Sequence, residues 1–340
     1  MNDRIILLGM PESYGLSTII HDNLSALGFL VIDISFVDYD FKYATKRQKY
    51  TNLLRKLFLR DKNYKTSLKF KPYREEILKK INEVAVFDYS LIIRSDIYPK
   101  DVVKLIRKKT RIMIHYQWDG LNRFPLVWER LKYFDKVFVF DQNDALSYGY
   151  APMTNCYFPY YGNGCQQKIK TENQTALFLG SYFKERVSYL NTMSEQLHHL
   201  KIGFNCYILH KEDPNLPFAY KYLDQAINYK NYLNLVYDAD ILIDDSLHMH
   251  NGLSFRILEA IGFHKKIITN NKSVKFYDFY NPNNILCLEG NAQYMEQIHD
   301  FILAPYINLN TDILEKYSFK NWIYNLLDIV PNIPITLPSV

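Results

Sequence analysis

The stretch that most restricts how this chain can fold runs from Asp240 to Asn270, DILIDDSLHMHNGLSFRILEAIGFHKKIITN. Ile241 to Ile243 form a β-branched and apolar run that ends in Asp244 and Asp245, the pattern of a strand entering a turn. A polar loop follows from Ser246 to Asn251, closed by Gly252. Ser254 to Gly262 then has the spacing of a short helix, and Lys266 to Thr269 that of a second strand. A strand–loop–helix–strand unit of this kind belongs to a parallel sheet, with its loop at the carboxyl edge. The helix is apolar nearly all round, through Phe255, Ile257, Leu258, Ala260 and Ile261, so it is expected to be buried. It nevertheless carries Arg256 and Glu259, three apart and therefore on one face. Buried charges need partners. Either the two pair with each other, or they meet a ligand at the start of the helix.

GLSFRILEAIGFHKKIITNN resembles the donor-nucleotide segment of GT-B glycosyltransferases, above all bacterial enzymes of lipopolysaccharide and capsular polysaccharide synthesis. In those families a Glu followed by Ala precedes a small-residue turn and a strand, and its carboxylate commonly holds the nucleotide ribose. Glu259 and Ala260 match that position, and Arg256 matches an arginine that recurs before it. Many retaining members have a second Glu eight positions earlier. Here that position is Asn251, which leaves retaining and inverting chemistry both open.

The frame around this segment fits the resemblance. A chain of 340 residues suits two domains, and 48% hydrophobic content supports two cores. Arg4 to Leu8, Phe29 to Ile34, Tyr89 to Arg94, Arg111 to Tyr116 and Asp135 to Phe140 are successive strands with helical spacing between most of them. Cys156 to Ile169, with a proline and two glycines and no period, is the expected hinge. After it Thr175 to Gly180 restarts the strand pattern. The fold class is therefore α/β, with two Rossmann-like domains facing a cleft. The expected division is residues 1–157 for an acceptor-binding domain, 158–170 for the hinge, 171–318 for a nucleotide-sugar-binding domain, and 319–340 for a helix and tail. That helix, anchored by Trp322, is expected to cross back to the first domain, as the resemblance implies.

The donor site is expected to draw on Gly180, Ser181 and Arg186 after the restarting strand, together with Asn251, Gly252, Ser254, Arg256 and Glu259. Helix starts and a guanidinium suit the diphosphate of a nucleotide sugar. Arg256 is the group expected to meet the charge of the departing phosphate. The strand Arg111 to Tyr116 delivers His115, Trp118 and Asp119 to its carboxyl end, and an inverting transfer needs a base there. Asp119 and His115 are the candidates, against a plainer role for Asp119 as a turn or cap carboxylate. Glu12, Ser13 and Tyr14 form a first loop that faces acceptor sugars or only solvent. Asp38-Tyr39-Asp40 has the spacing of a metal-binding triplet but follows only the second strand, so it is read as incidental. No metal and no cofactor is expected, the donor being a substrate. Asp141 is expected to cap a helix.

Charge is unevenly placed. Residues 41–80 hold fourteen Lys or Arg against three Asp or Glu, an excess of eleven positive charges, while the whole chain carries only +5. Tyr50, Leu53, Leu54, Leu57 and Phe58 recur there at helical spacing. The plainer reading seats this stripe in the core and leaves the lysines solvated. The other lays it on an anionic membrane surface. Nucleic acid is not expected, because no nucleic-acid motif accompanies the charge. Four cysteines without paired spacing, and no apolar stretch of signal or membrane length, point to the cytoplasm or the inner face of the plasma membrane. Taken together, the expected activity is metal-independent transfer of a sugar from a nucleotide-sugar donor to a saccharide or lipid-linked saccharide acceptor in bacterial surface polysaccharide synthesis. The alternatives are a nucleotide-sugar epimerase or hydrolase on the same fold, or a non-catalytic polysaccharide- or membrane-binding partner.

Overall fold

A computed structural model describes residues 4–159, 174–246, 252–288 and 294–337. The chain divides into two compact units, Met1–Met153 and Thr154–Val340. Most of the expected hinge, residues 160–170, lies outside the described residues, as does Asn251.

The first unit contains, in order, β1 (Arg4–Gly9), β2 (Pro11–Glu12), α1 (Leu16–Ala26), β3 (Phe29–Asp33), β4 (Phe36–Val37), α2 (Lys46–Phe58), α3 (Tyr64–Phe70), α4 (Arg74–Glu83), β5 (Phe87–Ile93), α5 (Lys100–Lys109), β6 (Thr110–Gln117), β7 (Lys136–Val139), α6 (Gln142–Tyr148) and β8 (Ala151–Pro152). Six strands form a parallel sheet in the order β3-β1-β5-β6-β7-β8. Parallel strands are covered on both faces, which is why Ile6, Leu7 and Leu8 are all buried despite pointing alternately up and down. One side of the sheet packs Leu7, Ile92 and Met113 against Ile77, Val102 and Ile106 from the helices. Asp141 caps α6 as expected, accepting from the amides of Asn143 (2.8 Å) and Asp144.

One element departs from the plainer expectation. The apolar stripe of α2 is not in the core: Tyr50, Leu53, Leu54, Leu57 and Phe58 are all more than half exposed, and Asn52 is the buried residue of the helix. The amphipathic spacing was legible, but spacing alone does not say which face turns inward.

The second unit contains β9 (Thr175–Ser181), α7 (Lys184–His199), β10 (Gly203–Leu209), β11 (Lys221–Leu223), α8 (Tyr229–Asp238), β12 (Ile241–Asp244), α9 (Phe255–Gly262), β13 (Lys266–Thr269), β14 (Ile285–Cys287), α10 (Met295–Leu303), α11 (Thr311–Lys316) and α12 (Phe319–Leu327). Its six strands run parallel in the order β11-β10-β9-β12-β13-β14. That is the doubly wound arrangement in which the order reverses between the first and fourth strands, here β9 and β12. The reversal opens a crevice at the carboxyl ends of those two strands. Gly262, at the end of α9, is demanded by packing. A Cβ there would lie 2.3 Å from the Tyr157 ring. Tyr157 in turn bridges Ser318, and Trp322 of α12 donates its indole N–H to the Thr154 carbonyl at 2.9 Å. Thr154 and Tyr157 belong to the second unit, whose boundary falls after Met153 instead of after Tyr157.

Candidate functional site

The crevice of the second unit gathers four charged side chains from three elements, β12 with the loop that continues it, α7 and α9. β12 ends in Asp244 and continues into Asp245, both buried. Arg186 comes from the first turn of α7, and Arg256 from the first turn of α9. Arg256 donates to Asp244 Oδ1 at 2.8 Å and to the Leu179 carbonyl at 2.7 Å. Arg186 donates through Nε to Asp245 Oδ2 at 2.7 Å, and through its terminal nitrogens to the carbonyls of Asp245 and Ser181. Both guanidinium groups lie over the Phe178 ring, at 5.4 and 5.1 Å from its centroid. The two arginines thus flank the end of β9, each fixed by one carboxylate and at least one backbone carbonyl. Such forked donors in a low-dielectric setting are well suited to an anionic ligand.

Gly180 makes this possible. A Cβ on it would sit 2.9 Å from both Arg186 and the Phe178 ring, inside van der Waals contact. Ser181 contributes its carbonyl. Ser254 precedes α9, but its hydroxyl donates to Asp244 Oδ1 at 2.9 Å and does not cap the helix. Thr269 Oγ1 donates to the other Asp244 oxygen at 2.8 Å. Asn270 ties Asp245 to the Ser246 amide, with distances of 2.6 and 2.7 Å. Gly252 is buried, and its carbonyl accepts from Asn271 at 3.2 Å. Neither α7 nor α9 has a side-chain cap at its start, whereas α8 and α12 are capped by Asn228 and Ser318. Amides left uncapped by side chains at a helix start favour negative charge.

Arg256 and Glu259 do not clasp each other as a direct ion pair. Glu259 is wholly buried, and its oxygens accept from the hydroxyls of Tyr229 and Tyr232 on α8, the latter at 2.6 Å. Burial raises the Glu259 carboxyl above its ordinary range, and the two tyrosines and Arg256 only partly counter it. For Arg256 burial works downward, but Asp244, Tyr232 and Glu259 outweigh it, so the guanidinium is held more firmly protonated than usual. Tyr232 faces both charges, linking them through one hydroxyl. The sequence expectation gave Glu259 to the ribose. Here each oxygen already accepts from a tyrosine, and a ribose hydroxyl would have to reach the remaining lone pairs of a carboxylate that is fully buried.

In the first unit the structure separates the two candidate bases. His115 on β6 is fully buried against Phe134, with Nε2 3.2 Å from Gln117 Oε1. Burial pushes its pKa down to about 3. Its burial makes this imidazole a weak proton acceptor, and its neighbours on both faces of β6, Ile114 and Tyr116 included, are buried as well. Asp119 lies beyond the strand, partly exposed, with Oδ1 accepting from Arg123 at 3.0 Å. Glu12 turns back on its own loop, accepting from the Gly15 amide at 2.9 Å and from Ser17. Tyr14 beside it is exposed. Asp38 pairs with Lys69 and Arg94, which accounts for one half of the Asp-Tyr-Asp triplet.

Asp244, Asp245, Thr269, Tyr229 and Tyr232 were not singled out by motif spacing. The signal for the aspartates was nonetheless present: two consecutive carboxylates at the end of a fully apolar strand must be met by cations or donors.

No protein-family model and no curated protein matches the sequence. Solved structures do match over nearly the whole chain. A glycosyltransferase from Rickettsia africae ESF-5 superposes with a TM-score of 0.52 at 14% identity, covering 89% of each chain. A trehalose-6-phosphate synthase gives 0.56 at 13% identity, over 97% of this chain and all of that one. A lipopolysaccharide outer core galactosyltransferase gives 0.50 at 13% identity, over 94% of this chain and 99% of that one. The chain has the fold these proteins share, that of the GT-B glycosyltransferases.

Proposed function

We propose that this protein is a glycosyltransferase that moves a sugar from a nucleotide-sugar donor to a saccharide or lipid-linked saccharide acceptor. The reading rests on one observation above the others: Arg186 and Arg256 meet at the strand-order reversal of the second unit, beside two helix starts without side-chain caps. Sugar transfer breaks the bond between the anomeric carbon and the donor's phosphate oxygen, and negative charge accumulates on that oxygen. Donors fixed in advance stabilise such charge without reorganising. Asp244 and Asp245 supply the fixing, since each holds one guanidinium in place. The Arg256 side chain is 18% exposed, so it is not sealed off from a ligand. No metal is needed in this scheme, because two guanidinium groups and the helix starts carry the charge. Asp119 is the remaining candidate for taking the acceptor proton. The fold shared with a lipopolysaccharide galactosyltransferase, and the basic stretch at 41–80, favour an acceptor in bacterial surface polysaccharide synthesis at the inner face of the plasma membrane.

The test is a thermal-shift series with UDP, GDP and CMP on the wild type and on Arg256→Ala. One nucleotide is expected to raise the melting temperature of the wild type, and to do so less in the variant. Absence of a shift with all three would overturn the donor site.

A further inference from the structure

Helix α2 is turned inside out. Its inward side is polar: Asn52 is buried and donates to the Tyr43 hydroxyl at 2.8 Å, and Arg55 reaches Asp61 at 2.8 Å while lying over Tyr64. Its outward side carries Tyr50, Leu53, Leu54, Leu57 and Phe58, exposed by 63, 51, 53, 65 and 77%, and Leu59 extends the patch at 70%. At 100° per residue these five helical positions fall within one arc. Around them Lys46, Arg47, Lys49, Lys56 and Arg60 are all exposed. A contiguous apolar strip left in water costs free energy, so a partner is implied.

We infer that this face inserts into the headgroup–acyl boundary of an anionic lipid surface, with the surrounding lysines and arginines on the phosphates. Three features select lipid. The face is the convex side of a helix and not a groove, which suits a planar interface. The eleven excess positive charges of residues 41–80 attract an anionic surface. A second copy of the chain would bring two such cationic faces together, which like-charge repulsion opposes. The inference deepens the membrane part of the proposed function and rests on that part alone; it is independent of sugar transfer.

The experiment uses the full chain with vesicles of phosphatidylglycerol mixed into phosphatidylcholine, and of phosphatidylcholine alone. Sedimentation is expected to capture the wild type on the mixed vesicles and much less on the neutral ones. Leu57→Ser combined with Phe58→Ser is expected to weaken capture by about 100-fold, since each large apolar side chain withdrawn from water is worth about tenfold or more. Both residues are exposed, so the melting temperature should hold. Phe58→Trp adds a readout that does not depend on loss: its fluorescence is expected to shift to the blue on mixed vesicles. Capture that persists in the double serine variant, with no blue shift in the tryptophan variant, overturns insertion and leaves a purely electrostatic membrane contact. Failure of the wild type to bind either vesicle overturns insertion and the membrane reading together. A concentration-dependent dimer that the double serine variant abolishes would assign the face to a second copy and overturn the lipid assignment.

Discussion

Both sheets reverse their strand order, yet two helix starts beside these reversals, α1 and α9, treat negative charge differently. In the first unit β1 leads to α1, and the chain places its own carboxylate there: Glu12 accepts from the Gly15 amide and from Ser17. In the second unit β12 leads to α9, whose first turn has no acidic residue and whose preceding Ser254 is drawn away to Asp244. Arg256 stands at that start, and Arg186 stands across β9 from it. One edge has satisfied its helix dipole internally. The other leaves the start of α9 without a side-chain acceptor of its own, next to two arginines that are each paired with an aspartate. Similar topology therefore does not imply similar chemistry; the side chains at the first turn decide it.

The comparison breaks most sharply at Asp244. This carboxylate accepts from Arg256, Ser254 and Thr269. Asp244→Ala should leave a mostly buried guanidinium short of its counter-charge and cost about 3–5 kcal/mol in denaturant unfolding. A loss below about 1 kcal/mol would show that the pair is not a buried one. Next comes Arg256→Ala, expected to lower turnover about 100-fold while changing donor affinity less, because the charge it meets develops in the transition state. Equal turnover in wild type and variant would remove Arg256 from the reaction. The melting temperature should be read alongside, since this change also strips Asp244 of its cation.

How far these residues could be foreseen depends on what kind of information fixes them. The inner strands of both sheets, α9 and the Asp141 cap were readable because apolar periodicity and capping chemistry are local; the edge strands β8, β11 and β14, two or three residues long, are too short to show a period. The meeting of Arg186 with Arg256 was half readable: both were candidates, but their aspartates were not, since a side chain's partner 59 positions away is a property of topology. For His115 the sequence showed a strand's carboxyl end but not its burial, because a parallel sheet covered on both faces buries residues whichever way the pleat points them. The α2 stripe was read two ways, toward the core or toward a surface, because an amphipathic pattern is symmetric between facing inward and facing outward, and the core-facing reading is the one that fails. Only the buried Asn52 settles the direction.

A smaller effect is expected at Gly180, whose absent side chain lets Arg186 reach across β9. In Gly180→Ala the new methyl would meet Arg186 and Phe178 at 2.9 Å. The arginine tip or the ring must shift, at a cost of about 1–3 kcal/mol. The sharper readout is functional: the nucleotide-induced rise in melting temperature should shrink in proportion to the displacement of Arg186. An undiminished rise would mean that Arg186 holds Asp245 and nothing else.

The mildest contrast concerns pH. Burial raises the carboxyls of both Glu12 and Glu259 above their ordinary range, with the Gly15 amide opposing it at the first and the tyrosines opposing it at the second. A raised folded value means that the folded state holds the proton more tightly than the unfolded chain. The stability from this source is complete below the ordinary carboxylate range and is lost as pH rises through the folded value. Denaturant midpoints taken from neutral to mildly acidic pH should therefore show wild type gaining on Glu259→Gln as the solution is acidified. The same trend should be weaker for Glu12→Gln, because Glu12 is only half-buried and Glu259 is sealed. Salt-bridged Asp61, held below its range despite its own burial by the Asn63 amide and Arg55, should run the other way and lose stability on acidification. If Glu259→Gln instead tracks the wild type at every pH while donor affinity falls, the carboxylate is not committed to Tyr229 and Tyr232, and a ribose contact becomes the better account of its burial.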